Sequence, residues 1–301
     1  MRATVAPSLA LIPALVSVCL LADGTMRDIH AQAGARERTM FVSAVDRRGD
    51  VVEGLDLADF VVTEDGRRRE ILRVSPALEP IDIAVLVDNS AASMRAIPSI
   101  REGLRDFARQ MAVGNQIALI ALADRPTILV DYTSNPERLE QGIGRLFPMS
   151  GSGMTLLDAI LETSSGLRRR EAPRAVIVPV ITNGVEFTNR YARDVVAAVR
   201  LAGASLHGIV IGTLSLETTE ERERALTFDE GSRTTGGQHV TLLAETAVKQ
   251  ALLKLARELS GQYKVVYGRP ESLIPPDNVV VTSGRAGVTM RGTPERGQTG
   301  A

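Results

Sequence analysis

The strongest constraint on the fold is a regular alternation of strand and helix patterns between residues 81 and 260. Ile81–Val87 is an almost uninterrupted apolar run, which is typical of a strand covered on both faces of a parallel sheet. Similar strand patterns at 116–123, 127–132, 175–181, 205–211 and 238–242 alternate with helix patterns at 95–111, 136–146, 155–169, 190–202, 217–229 and 244–260. This order predicts an α/β domain, a parallel sheet with helices on both faces.

Two β-rich segments flank this domain. Residues 39–75 contain short alternating runs and the hairpin-turn signal Glu64–Gly66, and residues 262–291 contain three further short runs. Neither segment alone can bury a stable core, so we expect the two to pair into one small β domain. The predicted division is an N-terminal β segment at 38–76, the α/β domain at 80–261, a C-terminal β segment at 262–291 and a disordered tail at 292–301.

The first 33 residues have the organisation of a secretory signal peptide. Arg2 precedes the apolar run Leu9–Ala22, and the small residues Ala31 and Ala33 mark an exit site. The run is shorter than the roughly 20 apolar residues that span a bilayer, so we expect no stable transmembrane segment after cleavage. An uncleaved signal anchor is the alternative. The predicted location is therefore outside the cytoplasm: the periplasm, the cell surface or the medium.

Composition excludes several kinds of protein. The chain has 35 basic and 36 acidic residues and only 3% aromatic residues, whereas nucleic-acid binding needs a concentrated basic face or a stacking platform. We therefore expect no nucleic-acid partner. Cys19 is the only cysteine, and its removal with the signal peptide would exclude disulfides and cysteine zinc sites. The mixed charges of Thr218–Arg224 predict a solvated helical face.

Three polar loops are expected at one edge of the predicted sheet. Asp88–Ser93 follows the first strand of the α/β domain, Gly151–Asp158 leads into a helix, and Thr182–Gly184 follows the strand at 175–181. Ligands bind beyond the carboxyl ends of the strands in open α/β sheets. Because the loops offer only hydroxyl, amide and carboxylate oxygens, a site formed by them would suit a hard cation such as Mg²⁺.

This set of loops resembles the metal-ion-dependent adhesion site (MIDAS) of a von Willebrand factor type A (VWA) domain. That site takes D-x-S-x-S from the first loop, a threonine from the second and an aspartate from the third. The flanking segments Val45–Gly49, Asp59–Gly66 and Gln262–Tyr267 resemble those of the secreted "VWFA-related" proteins common in acidobacteria. The resemblance covers roughly residues 38–291 and implies a Rossmann-like, mostly parallel sheet of six strands.

The resemblance also implies a ligand set and a partner. Ser90 and Thr155 would contact Mg²⁺ directly. Asp88 and, in the third loop, Asn183 would hold coordinating water. An acidic side chain of a partner protein would complete the coordination. These roles define a protein-interaction or adhesion module and not an enzyme.

The sequence departs from the MIDAS pattern at two positions. The second serine position is Ala92, with Ser93 one residue later, and the third-loop aspartate is replaced by Asn183. Fewer carboxylates weaken the binding of a divalent cation. The expected metal site is therefore degenerate, with the possible ligands Asp88, Ser90, Ser93, Thr155 and Asn183. Residues of these types also cap helices and loops, which is the alternative.

The sequence favours a non-catalytic, exported interaction or adhesion module with a degenerate MIDAS. The alternative is a metal-free structural protein of the cell envelope in which the site is vestigial. An extracytoplasmic hydrolase that uses Ser90 has the least support, because Ser150–Gly153 does not match a nucleophile elbow and His207 lies in an apolar strand pattern.

Overall fold

The chain folds into thirteen strands and six α-helices within the part that the computed structural model describes, residues 35–270, 274–294 and 296. The strands are β1 (Ala35–Val45), β2 (Phe60–Glu64), β3 (Arg67–Arg69), β4 (Ile71–Pro76), β5 (Ile81–Val87), β6 (Gln116–Ala121), β7 (Thr127–Thr133), β8 (Arg174–Ile181), β9 (Ala204–Ile211), β10 (Gln238–Leu242), β11 (Tyr263–Pro270), β12 (Val279–Ser283) and β13 (Thr289–Pro294). The helices are α1 (Ile97–Met111), α2 (Pro136–Gly144), α3 (Leu156–Arg170), α4 (Ala192–Leu201), α5 (Thr219–Thr235) and α6 (Val248–Ser260).

A six-stranded sheet forms the α/β domain. Its strand order is β10-β9-β8-β5-β6-β7, with every pair parallel except β6 and β7. The predicted mostly parallel α/β sheet is confirmed. The chain first adds β6 on one side of β5 and later β8 on the other. The carboxyl ends of β5 and β8 therefore lie side by side, at the switch in strand order where such sheets bind ligands.

Helices cover both faces of this sheet. Along β5, Val85 and Val87 pack in a core with α1, α2 and α6, whereas Leu86 between them packs in a second core with α3 and α4. Because successive side chains of a strand point to opposite faces, a strand buried on both sides must be apolar at nearly every position. This explains the uninterrupted apolar run in the sequence, and all seven residues of β5 are buried.

The two flanking segments pair with each other, as predicted. β1 and β11 are antiparallel from Ala35 opposite Pro270 to Val42 opposite Tyr263, and they lie inside the sheet β13-β1-β11-β4. A second sheet has the order β12-β2-β3. The two sheets share one apolar core that includes Met40, Phe60, Val62, Tyr263, Tyr267 and Val281. The small β domain built from both ends of the chain is therefore confirmed.

Two details of the β domain bear on the sequence predictions. Asp65 and Gly66 both have positive φ angles, 47° and 78°, as the tight turn of the predicted hairpin requires. At the other end, β13 continues to Pro294, which pairs with Met40, so residues 292–294 of the expected tail belong to a strand. Without this pairing, one edge of β1 would expose its backbone groups. Apart from Arg296, the rest of that tail lies outside the described residues.

The predicted signal peptide at 1–33 also lies outside the described residues. Among the helices that are described, none combines the length and the apolar character needed to cross a bilayer.

Arg174, at the start of β8, connects the two domains. Its Nη1 donates a hydrogen bond to the carbonyl of Glu79 (2.9 Å), and its Nη2 donates to the carbonyl of Leu259 and to Oε1 of Gln262 (both 2.7 Å). Burial lowers the pKa of the guanidinium to about 10. The side chain holds the end of α6 and the approach to β11 against the segment that precedes β5.

Candidate functional site

The three polar loops meet at the carboxyl edge of the large sheet. Oδ2 of Asp88, in the first loop, accepts hydrogen bonds from the backbone amide (3.0 Å) and the hydroxyl of Thr182, at the start of the third loop. The amide of Met154, in the second loop, donates to the carbonyl of Val185, just beyond the third loop (2.8 Å). Segments that are far apart in the sequence thus form one continuous structure.

Asn89 fixes the first loop to its neighbours, a role that sequence reasoning missed. Its side-chain oxygen accepts hydrogen bonds from the amides of Leu122 and Ala123 (3.0 and 2.8 Å) at the end of β6. Its side-chain amide donates to the carbonyl of Phe147 (3.1 Å), and its carbonyl accepts from the amide of Met149 (2.8 Å). Because one side chain satisfies backbone groups in two other segments, the edge is held in a defined shape.

Asp88 is completely buried, and both of its oxygens are occupied by internal donors. Oδ1 accepts a hydrogen bond from the amide of Ser90 (2.8 Å), and Oδ2 accepts the two bonds from Thr182. The carboxylate thereby orders the first loop and joins it to the end of β8.

Ser90 lies against Gly184 of the third loop. A Cβ added to Gly184 would lie only 2.7 Å from Ser90 Oγ and 3.5 Å from the Cβ of Ala92, so the close approach requires glycine. Ser90 Oγ is buried and has no hydrogen-bond partner among the described residues. Ala92, and not Ser93, therefore occupies the position beside Ser90 and the third loop.

The structure places Ser93 and Asn183 in local hydrogen bonds. Ser93 closes a short 3-10 turn at Ala91–Ser93, and its hydroxyl donates to the carbonyl of Ser90 (2.8 Å). The side-chain oxygen of the exposed Asn183 accepts a hydrogen bond from the amide of Ser215 (3.0 Å), in the loop after β9. Both oxygens stabilise loops, which is the alternative that the sequence left open for these residue types.

Thr155 begins α3 at the base of the second loop. It is buried, and its hydroxyl donates to the carbonyl of Leu122 (2.8 Å) at the end of β6. A hydroxyl that donates its proton keeps its lone pairs as acceptors. Three of the predicted site residues therefore have oxygens that face a neighbouring segment: Asp88, Ser90 and Thr155.

Glu186, which the sequence analysis did not single out, is buried beneath the loops. Its Oε1 accepts hydrogen bonds from the amide of Leu156 (3.1 Å), in the first turn of α3, and from the hydroxyl of Thr188. Its Oε2 is buried without a partner among the described residues. Burial raises the pKa of this carboxyl to about 7, although Thr188 and the charge of Arg224 act in the opposite direction.

Arg224, on α5, is the second buried charge that sequence reasoning missed. It has no exposed surface, and its Nη1 donates to the carbonyl of Gly184 (2.6 Å). Nε and Nη2 have no partner in the described part of the chain. The predicted solvated face of Thr218–Arg224 is therefore wrong at Arg224 and at Glu221, which are both buried. The available signal was the helical spacing from Arg224 to the apolar Phe228, which lies on the same face.

Large apolar side chains are exposed on or next to all three loops. We call the following set the apolar rim, each member being at least 46% exposed: Met94, Phe147, Met149, Val185, Phe187 and Tyr191. The ring of Phe187 lies over Gly153, where an added Cβ would come within 2.6 Å of it. The guanidinium of Arg101 stands 4.3 Å from the ring centroid of Phe147. Contiguous exposed apolar patches, unlike single exposed apolar side chains, are a recognised feature of interaction surfaces.

No metal cluster is evident in the described residues. None of their histidine, cysteine, aspartate and glutamate side chains form a group of three or more that could hold an ion. Asp88 is the carboxylate of the first loop that lies next to the hydroxyls. Asp158, at the end of the second loop, pairs with Arg190 (2.6 Å), and Glu186 faces α3 and Thr188.

Comparison with known proteins gives a family match and several similar folds. The family model of the von Willebrand factor type A domain matches residues 83–186. A search of curated proteins found no match.

Among solved structures, the chain is similar to the vWF domain of the type V pili tip protein Mfa5 from Porphyromonas gingivalis, with 13% identity, coverage of 60% of this chain and 95% of that chain, and a TM-score of 0.47. It is similar to proximal thread matrix protein 1 from the mussel byssus (15% identity, 66% of this chain, 49% of that chain, TM-score 0.49). It is also similar to the PilB minor pilin from Streptococcus sanguinis (11% identity, 62% of each chain, TM-score 0.46).

Proposed function

The chain contains a von Willebrand factor type A domain, and on that premise we propose that it is a non-catalytic module that binds a partner protein through the apolar rim. Domains of this family are typically adhesion or protein-interaction modules. The observation that carries the proposal is the exposure of the six rim side chains on loops that meet at one edge of the sheet. Burying such side chains against a partner is worth about 25 cal/mol per Å² of apolar surface, and aromatic residues often dominate binding energy.

The loops that present the rim are held in place before any partner arrives. Asn89 contacts the backbone of both Phe147 and Met149, and the backbone of Met154 pairs on either side of Glu186, with Val185 and Phe187. A rigid binding surface loses less conformational entropy on association than a flexible one. These internal bonds therefore favour recognition by preformed loops.

Positive charges beside the rim favour a partner with an acidic side chain. Arg95 follows Met94 of the rim and is exposed, and so is Arg125, which lies next to the second loop because the amide of Asp124 donates to the carbonyl of Gly153 (3.2 Å). Charges at the border of an interface speed association and select among partners more than they add affinity. We propose that these arginines contribute to partner selection.

The resemblance to a MIDAS implies Mg²⁺ at the three loops, and Asp88, Ser90 and Thr155 are the residues that would hold it. The hydroxyl of Ser93 donates to the carbonyl of Ser90 within the first loop, and the side-chain oxygen of Asn183 accepts from the amide of Ser215 in the loop after β9. One carboxylate whose two oxygens already accept internal hydrogen bonds does not fit the needs of a hard divalent cation. The proposed recognition therefore proceeds through the rim and not through a metal.

The arrangement of the serines supports a non-catalytic function. A serine nucleophile needs a general base within hydrogen-bond reach, and Ser90 Oγ has no such partner in the described residues. His207 and His239 instead contact Ser205 and Ser232. We also propose that the first 33 residues direct export and that the functional unit spans the β segments 38–76 and 262–291 together with the domain 80–261.

Photo-crosslinking tests the proposed function. The purified protein carries a photoreactive phenylalanine analogue at Phe147 or Phe187 of the rim, or at Val113 as the matched control. Val113 is exposed and precedes β6, at the opposite edge of the sheet. After illumination in native envelope extract, both rim positions should capture the same protein, with and without a chelator. Excess unlabelled protein should compete, and excess Phe147→Asp/Phe187→Asp protein should not.

Equal capture at Val113 would contradict the rim as the binding surface. Capture that a chelator abolishes would show instead that the partner binds through a metal ion. Failure of both rim positions to crosslink would favour the structural alternative, in which the loops serve only to stabilise a spacer. That alternative has its own support in the local bonds of Ser93 and Asn183. Labelling of Ser90 by a fluorophosphonate would support the hydrolase function instead.

A further inference from the structure

The buried guanidinium of Arg224 places a positive charge next to the third loop. Arg224 is fully buried on α5, and its hydrogen bond to the carbonyl of Gly184 ties it to the third loop. Burial lowers the pKa of this guanidinium, while Glu186, Glu221 and Asp88 act to raise it. An arginine side chain stays protonated in proteins. A permanent cation therefore lies within electrostatic range of Asp88, the carboxylate of the first loop.

Of the three acidic groups that act on Arg224, Glu221 and Asp88 are occupied by internal donors, whereas Oε2 of Glu186 has no hydrogen-bond partner in the described part of the chain. Oε2 of Glu221 accepts hydrogen bonds from the hydroxyl of Ser215 (2.7 Å) and from the amides of Glu217 and Thr218 (both 3.1 Å). Asp88 is occupied by backbone and hydroxyl donors. Divalent cations are held mainly by the negative charge of their ligands, and here a guanidinium offsets that charge from inside the protein.

We infer that Arg224 takes the place of a bound divalent cation as the positive charge behind the three loops, so that the site keeps its shape without metal. The two departures from the MIDAS pattern fit this arrangement. Where no ion has to be held, neither a hydroxyl at Ala92 nor a carboxylate at Asn183 is required. The inference concerns the isolated protein and does not depend on whether the rim binds a partner.

Metal binding by the purified protein tests the inference. The wild type should show no rise in melting temperature in millimolar Mg²⁺ and no binding of Mn²⁺ by electron paramagnetic resonance. Arg224→Met should bind Mn²⁺ at least about tenfold more tightly than the wild type, because a buried like charge no longer opposes the ion. Adding Asp88→Asn to this variant should remove the gain. Arg222→Met is the matched control, since Arg222 is exposed on the same helix.

A double variant keeps the test decisive if Arg224→Met does not fold. Ala92→Ser/Asn183→Asp restores both positions of the MIDAS pattern without touching α5. With Arg224 in place, this double variant should still lack micromolar Mn²⁺ affinity. Micromolar binding by the double variant, Asp88-dependent binding by the wild type, or a folded Arg224→Met variant that binds no better than the wild type would each overturn the inference.

Discussion

Replacing Glu186 by glutamine should change how the stability of the protein depends on pH. Burial raises the pKa of Glu186 in the folded state from 4.5 to about 7, so the folded protein holds a proton there that the unfolded chain has lost. The free energy of unfolding should therefore fall as pH rises from 4.5 to about 7. At about 1.4 kcal/mol for each pKa unit, the decrease is about 3 kcal/mol. Glutamine stays neutral and keeps an oxygen for the amide of Leu156, so Glu186→Gln should lack this decrease.

Urea unfolding followed by far-ultraviolet circular dichroism at several pH values measures the effect. The difference in unfolding free energy between Glu186→Gln and the wild type should grow between acidic and mildly alkaline pH by about 3 kcal/mol. The difference isolates Glu186, because all other titrating groups are common to both proteins. Glu162→Gln, an exposed position on α3, is the control and should show no such growth. A difference that is the same at every pH would refute the argument that Glu186 is buried with an unpaired oxygen.

Three further perturbations have defined outcomes. Burial lowers the pKa of His207 from 6.5 to about 4, so wild-type stability should gain about 3 kcal/mol as pH rises through that interval. The difference between wild type and His207→Asn in urea titrations should show this gain. Gly184→Ala should lower the unfolding free energy by about 1–3 kcal/mol through the contact with Ser90 Oγ, and a melting temperature equal to the wild type would contradict the close packing there. Arg174→Met should cost about 3 kcal/mol or more, because it leaves buried carbonyl groups without donors. An unchanged denaturation midpoint would show that water replaces those bonds.

The fold was largely predictable because its main elements depend on local patterns. The strand predicted at Ile81–Val87 is β5 with the same bounds, and the predicted pattern at 238–242 coincides with β10. Strands buried on both faces must be apolar, so composition alone marks them. Helix ends were less certain: α5 continues to Thr235, six residues beyond its predicted end. Beyond Phe228, the buried positions of α5 are Gly231, Ser232 and Thr235, so a search for apolar periodicity detects no helix there.

The site was predictable only in part. Asp88 and Thr182 come together because strand order places the ends of β5 and β8 side by side, which is a general property of such sheets. Glu186 and Arg224 escaped notice because a charged residue in a polar stretch is usually solvated. Their burial follows from the packing of α5 beside the third loop, and no short segment of sequence encodes that contact.

The pairing of β1 has a consequence for how the chain is made. Both neighbours of β1 in its sheet, β11 and β13, come from the other end of the chain. During synthesis, the backbone groups on both edges of β1 therefore stay unpaired until the whole α/β domain has been made. Unpaired edges invite association with other chains, so molecules truncated before β11 should aggregate even when their large sheet has formed. Pairing of β1 with β11 and β13 therefore requires that the polypeptide extends past the α/β domain.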